Sequence, residues 1–228
     1  MKLTKLILGA VAASALYAGS ANAAVLKFDD PLRPGGTISY NGAGGPLVGS
    51  NILFQTLQGL DTPANNFATL YCFPDCIANF QTGDFAGMDG AAYTFKSGGF
   101  FTITGDLYTA PGGGGMLIAG GNLMFDSLFT MPRARVAQSG GLTSATGFGT
   151  DFKNDEIEKW FGFVKEPKWR FASTEIALTC PGFGGGNAFN CRVVNSDLNN
   201  IQVPEPGSLA ILGLGLIGLG FARRRKAH

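Results

Sequence analysis

Ala92-Tyr93-Thr94-Phe95-Lys96-Ser97-Gly98-Gly99-Phe100-Phe101-Thr102-Ile103-Thr104-Gly105-Asp106-Leu107-Tyr108 is the stretch from which the fold class follows. Successive side chains of a strand point to opposite faces. Tyr93 and Phe95 therefore share one face and Thr94 and Lys96 the other. In the second run Phe101, Ile103, Gly105 and Leu107 lie opposite Thr102, Thr104 and Asp106. The Gly98-Gly99 pair between the runs reads as a turn, so the stretch predicts a β-hairpin.

The pattern continues on both sides. Upstream, Val25 to Phe28 and Thr37 to Tyr40 read as short strands separated by the turn Pro34-Gly35-Gly36. Asn51 to Leu60 reads as a strand of imperfect alternation, with Ile52 and Phe54 on one parity and Leu53 and Leu57 on the other, and Ile77 to Thr82 as another strand. Downstream, Pro111 to Gly115 is a loop, and Met116 to Ala119 and Asn122 to Phe129 resume the β pattern. Trp169 to Leu178 should pair with Phe189 to Ser196 across the glycine-rich loop Pro181 to Gly186. One helix interrupts the series. Asn154 is placed to cap it, Asp155 and Glu156 suit the positive end of its dipole, and Ile157, Trp160, Phe161 and Val164 repeat at helical spacing. Gly162 and Pro167 end it. Long helices alternating with strands are missing, which favours an all-β arrangement over an α/β fold. The expectation is a mainly β protein, an antiparallel β-sandwich of jelly-roll type with one short helix plugging one end. The 35 glycines, 19 phenylalanines and 14% charged residues fit many turns around a Phe-rich interior.

The two ends of the sequence have a different character. Lys2 and Lys5 precede an apolar core from Leu6 to Ala18, and Ala21-Asn22-Ala23 has the small-x-small pattern of a signal-peptidase site, predicting cleavage after Ala23. At the other end stand Val203-Pro204-Glu205-Pro206, an uncharged apolar run from Gly207 to Ala222, and the basic block Arg223-Arg224-Arg225-Lys226. Pro204 and Pro206 hold the tripeptide out of helix and extended. As a transmembrane helix, the apolar run reaches about 24 Å, somewhat short of a bilayer core of about 30 Å. The basic block acts as a membrane stop on the cytoplasmic side and leaves the preceding domain outside.

Val203 to Lys226 resembles the PEP-CTERM sorting signal of bacterial surface proteins. The resemblance implies export, a transient inner-membrane intermediate, and processing by an exosortase that recognises Pro204, Glu205 and Pro206. It also implies a Gram-negative envelope, biofilm or extracellular-polysaccharide setting. The expected organisation is a signal peptide at 1–23, a β-rich extracellular domain at 24–202 and a sorting signal at 203–228, with exosortase and signal peptidase as partners.

The central domain, Ala24 to Val203, keeps 11 of the 17 Lys and Arg and 15 of the 16 Asp and Glu, an acidic excess of 15 − 11 = 4. Its positive charges are scattered apart from Lys165, Lys168 and Arg170, so no nucleic-acid face is predicted. All four cysteines lie in this domain, where an oxidising compartment favours disulfides. Three pairings are open, and proximity favours Cys72 with Cys76 and Cys180 with Cys191. The single histidine is His228, so the domain holds no base for a Ser-His-Asp or Cys-His mechanism and no His metal ligand. No cofactor or metal site is predicted, and the segments Asp84 to Asp89 and Asp151 to Glu156, rich in carboxylates, lack calcium-loop spacing and read as a turn or helix cap. A carboxylate hydrolase would draw on Glu175, Asp84, Asp89 or Asp106, of which no motif singles out a pair. A polysaccharide site would draw on Tyr40, Tyr71, Tyr93, Tyr108, Trp160 and Trp169, most of which should be core. The leading expectation is a non-enzymatic exported surface or matrix protein. A polysaccharide-binding module is the alternative.

Overall fold

A computed structural model describes residues 23–30, 34–130, 134–139, 142–163 and 169–203. Twelve strands carry the fold: β1 Val25–Asp29, β2 Thr37–Tyr40, β3 Pro46–Leu60, β4 Thr69–Asp89, β5 Ala92–Phe95, β6 Gly98–Tyr108, β7 Leu117–Phe129, β8 Arg135–Ser139, β9 Leu142–Thr146, β10 Gly149–Lys153, β11 Trp169–Thr179 and β12 Phe189–Gln202. A short helix, α1 Asp155–Trp160, lies between β10 and β11. Predicted Ala21, the apolar signal core and the tail from Pro204 to His228 lie outside the described residues, as do Lys165, Lys168 and Val164.

The strands form one antiparallel sheet that closes on itself, in place of the two-sheet jelly roll read from the sequence. Four long strands, β3, β4, β11 and β12, run through both ends of it. At one end β1, β6, β7 and β10 join them in the circuit β1-β3-β4-β6-β7-β10-β11-β12, which returns to β1: four plus four makes eight strands. At the other end β2, β5, β8 and β9 complete a second circuit, β2-β3-β4-β5-β8-β9-β11-β12, again four plus four. A closed barrel leaves no exposed edge for another chain to pair with.

The quoted stretch around Gly98 is corrected by this arrangement. β5 and β6 do not pair with each other but follow one another along the same side of β4, β5 against Phe85 to Asp89 and β6 against Tyr71 to Thr82. Gly98 and Gly99, at φ 109° and 76°, bend a single long strand as it changes its other neighbour from β8 to β7. Lys96 N still donates to Asp84 O across the break at 2.8 Å. The reversal lies earlier, at the two-residue turn Gly90-Ala91 between paired Asp89 and Ala92, where Gly90 takes the positive φ that favours glycine. Strands β8, β9 and β10, which the sequence pattern does not mark, close the far wall.

Register shifts explain the imperfect alternation of β3. Leu47 and Gly49 point inward, then Ile52 and Phe54, then Leu57 and Gly59, with a bulge at each change of parity. In β11 a shift after Phe171 brings Trp169 and Phe171 to the same interior as Ile176 and Leu178. Bulges orphan backbone groups, and polar side chains satisfy them. Asn79 Oδ1 accepts from Asn51 N, Thr82 Oγ1 accepts from Leu47 N, and Ser196 Oγ donates to Leu53 O at 2.8 Å.

Aromatic rings fill the barrel. Phe80, Phe101, Phe129 and Phe171 meet in the middle with centroids 5.4–6.1 Å apart. At the β2/β5 end, Phe183 from the glycine-rich loop packs on Tyr93 and Phe189, and Tyr93 Oη donates to Gly184 O at 2.9 Å. Helix α1 covers the β1/β6 end with buried Ile157 and Phe161, as the sequence predicts, and Asn154 Oδ1 accepts from Glu156 N as its cap. Both cysteine pairs are joined as proximity suggests. Cys72–Cys76 ties off an outward excursion inside β4, and Cys180–Cys191 joins the end of β11 to the start of β12.

Ring size sets the need for glycine. A Cβ on Gly49 would lie 2.1 Å from Cε1 of Phe80, its cross-strand partner. Gly49→Ala is expected to cost about 1–3 kcal/mol through overpacking, read as a lower urea midpoint at unchanged m-value.

Candidate functional site

The residues nearest the two predicted processing points form a seam. β1, which follows Ala23 and Ala24, pairs with β12 from Val25↔Ile201 to Asp29↔Asp197, and Gln202 N donates to Ala24 O at 2.8 Å. The same β1 pairs with β3 on its other side. The barrel therefore closes on strands that abut both segments.

Electrostatics secures this seam. Asp29 and Asp197 stand directly opposite one another, an arrangement that repels. Lys27 Nζ bridges them, 2.9 Å from Asp29 Oδ2 and 3.0 Å from Asp197 Oδ1. Partial burial opposes the charge of Lys27, yet the hydrogen bonds to the two carboxylates outweigh it and raise its pKa above the ordinary lysine value. Burial likewise pushes Asp197 up, but the Lys27 and Asn195 hydrogen bonds hold it below the ordinary carboxyl value. Asp30, next along the strand, points inward, where burial raises its pKa against the pull of the Ser196 N–H that it accepts at 2.9 Å.

Residues 202–226 match the PEP-CTERM protein-sorting motif. The chain is thus an exported protein addressed to an exosortase, and the matched motif begins on Gln202, the last residue of β12. No curated protein and no solved structure matches the chain. In sequence only Val203 separates Gln202, the last residue of β12, from Pro204.

The sugar-site candidates separate. Tyr40, Tyr93 and Trp169 are buried core residues, and Trp160 packs half-buried against the core. Tyr71 and Tyr108 come together as paired residues of β4 and β6, and Phe73 on the Cys72–Cys76 excursion meets Tyr108 edge-on at 6.5 Å. Phe73 is 46% exposed, and Met116 and Leu117 beside Tyr108 are exposed as well. Sequence reasoning missed Phe73, although its place between two bridged cysteines forces it outward. The carboxylate candidates are not brought together: Asp84 and Asp89 lie on the second half of β4, Asp106 lies on β6 opposite Gly120 toward the other end, and Glu175 lies on β11 opposite Asp197. Asp89 instead faces Arg135 at 3.6 Å.

A different charged group lies inside. The alternation of β10 turns Asp151 and Lys153 inward and Phe152 outward, so the start of the Asp151 to Glu156 segment is strand in place of the expected turn, while Asn154 is a helix cap as expected. Asp151 and Lys153 contact each other as an ion pair with both side chains fully buried. Lys153 Nζ also donates to Asn200 Oδ1 on β12 at 3.0 Å, and Asn200 Nδ2 donates to Leu26 O at 3.1 Å. Buried Glu158 of α1 accepts from Trp169 Nε1 at 2.8 Å, and the Lys153 ammonium sits 5.4 Å from the centre of the Trp169 ring. Burial drives the Lys153 pKa well below the lysine value, with the Glu158 charge pulling the other way. Among the described residues no group of three or more His, Cys, Asp or Glu is arranged to hold a metal ion. The interior void by Phe80, Phe101 and Phe129 is about 10 Å³, too small for a ligand. An open depression of about 540 Å³ beside Cys191 is lined by Thr37, Thr179, Asn190, Arg192 and Val194 among others, with no carboxylate.

The seam yields a pH test. Asp197 is held below its unfolded pKa, so its contribution is complete above about pH 4 and is lost as pH falls through the folded value. Lys27→Met should destabilise the barrel by about 1 kcal/mol at neutral pH, since the pair is partly exposed. The gap from the parent should narrow below about pH 4 and close as pH falls through the depressed Asp197 value, where Lys27 loses the charge it offsets there. Parallel urea unfolding of parent and variant at both pH values checks this.

Proposed function

We propose that the barrel is a non-enzymatic module of the cell surface or extracellular matrix, delivered by exosortase processing at Pro204-Glu205-Pro206 and associated with extracellular polysaccharide. The observation that carries this reading is the junction itself. A closed barrel, plugged at both ends and stapled by two disulfides, completes its last strand at Gln202, where the matched sorting motif begins. Such a body tolerates removal of the segment beyond it, because its closing hydrogen bond, Gln202 N to Ala24 O, lies within the barrel. Its interior carboxylates Asp151 and Glu158 are buried among core residues rather than set in a cleft open to substrate, which supports a binding or structural role over carboxylate hydrolysis.

The Tyr71-Phe73-Tyr108 patch favours a more specific reading, in which the barrel holds polysaccharide. Aromatic faces beside exposed β-strands stack on the apolar faces of sugar rings, and this patch is the place where two of the sequence candidates meet. On a glycan array, the parent chain should bind extracellular bacterial polysaccharides. Phe73→Ala with Tyr108→Ala should reduce that binding roughly tenfold or more at unchanged melting temperature, a loss of about 1.4 kcal/mol. Equal binding by the double variant removes the patch from this role.

Sorting is tested in cells with and without an exosortase. The mature C-terminus should be shortened only where the enzyme is present, and replacing Pro204, Glu205 and Pro206 by alanine should leave the long form in both strains. Mass spectrometry of the C-terminal peptide reads the outcome, and an identical C-terminus ending at His228 in both strains refutes exosortase processing.

A further inference from the structure

From the Lys153 cluster we infer that the barrel makes its own covalent cross-link, an amide between Lys153 Nζ and Asn200 Cγ that joins β10 to β12. The amine and the side-chain amide are already in hydrogen-bond contact, at 3.0 Å between Nζ and Oδ1. Both residues are sealed from solvent, with Asn200 fully buried and the Lys153 side chain likewise. The amide is held in place by its Nδ2 hydrogen bond to Leu26 O. Two acids complete the site: Asp151 touches the amine, and Glu158 is fixed by Trp169.

The chemistry needs no outside reagent. Desolvation favours the neutral members of a buried ion pair, so a proton passes from the Lys153 ammonium to Asp151, leaving a free amine and a carboxylic acid. The low pKa that burial imposes on Lys153 supports this step. The Nζ lone pair then adds to Cγ of Asn200, and the carbonyl electron pair moves onto Oδ1. The nitrogen of this adduct carries a positive charge, and the Glu158 carboxylate is the negative charge that offsets it. Asp151 delivers its proton to Nδ2 and takes one from Nζ. As the carbonyl re-forms, the Cγ–Nδ2 bond breaks and ammonia leaves. Amine plus primary amide becomes secondary amide plus ammonia, nothing is oxidised or reduced, and Asp151 ends as the acid that entered the addition step. Asp151 acts here as a general acid and base, a role that typically contributes about 10²–10⁴-fold in rate.

The bond would span 47 residues of sequence and fasten the strand that leads into the sorting motif to the opposite side of β11. A matrix protein pulled through the segment beyond β12 would load this strand first, and a covalent tie there resists peeling where hydrogen bonds alone do not. The cross-link stands on the interior geometry and is independent of any polysaccharide ligand.

The test is a peptide map of the full chain, purified, reduced, denatured and digested with trypsin. The expected product is a branched peptide joining the Lys153-containing and Asn200-containing fragments, lighter than their sum by one ammonia. Lys153→Arg should abolish it. Asp151→Asn should slow its formation by roughly 100-fold or more in a time course after refolding. Recovery of both fragments as separate linear peptides from the folded parent protein overturns the proposal. Loss of water between Asp151 and Lys153 in place of the branched product also overturns it.

Discussion

Closure of the sheet is the constraint on which the other features depend. β1 is only five residues long, yet it pairs with β3 on one side and β12 on the other, and without it the first circuit is open. An open seam would expose unpaired backbone along β3 and β12, a template for aggregation in any compartment without chaperones. Lys27 keeps Asp29 and Asp197 from pushing the seam apart. β1 seals the barrel by pairing with β12, the strand whose last residue, Gln202, begins the matched sorting motif.

Closing eight strands fixes an interior wide enough that side chains must fill it. Phenylalanine supplies the volume and glycine supplies the room, as at Gly49 beneath Phe80 and Gly59 beneath Phe161. The four full-length strands must also change ring neighbours between the two ends. That demands bends, and the bulges of β3, β4 and β11 provide them. Each bend leaves backbone groups unpaired, which accounts for the polar side chains Asn79, Thr82 and Ser196 at otherwise apolar walls. Outward residues such as Arg170, Asn190 and Arg192 are polar, while most of the interior is apolar.

The charged interior at the α1 end does not follow from packing. Burying a lysine with two acids costs more than filling the same space with leucine, so such groups mark a demand other than stability. The Trp169 indole holds Glu158, and Lys153 contacts both Asp151 and Asn200.

The sequence by itself determined what depends on neighbours close along the chain. Alternation marked the β class and most strands, helical spacing with Asn154 marked α1, short separation marked both disulfides, and the order Pro-Glu-Pro, apolar run and basic block marked the sorting motif. The tertiary structure alone decided what depends on distant partners. Gly98-Gly99 reads locally as a hairpin turn, but β4 runs beside both segments and makes it a bend within one strand. The sequence predicted two sheets where the structure has one, because alternation says which face is buried and nothing about which strand lies alongside. The pattern does not mark β10 because Asp151 and Lys153 point inward and Phe152 outward, the inverse of the alternation that reveals a strand. Asn200 and Lys153 lie 47 residues apart and meet only because closure carries β12 past β11 to within reach of β10.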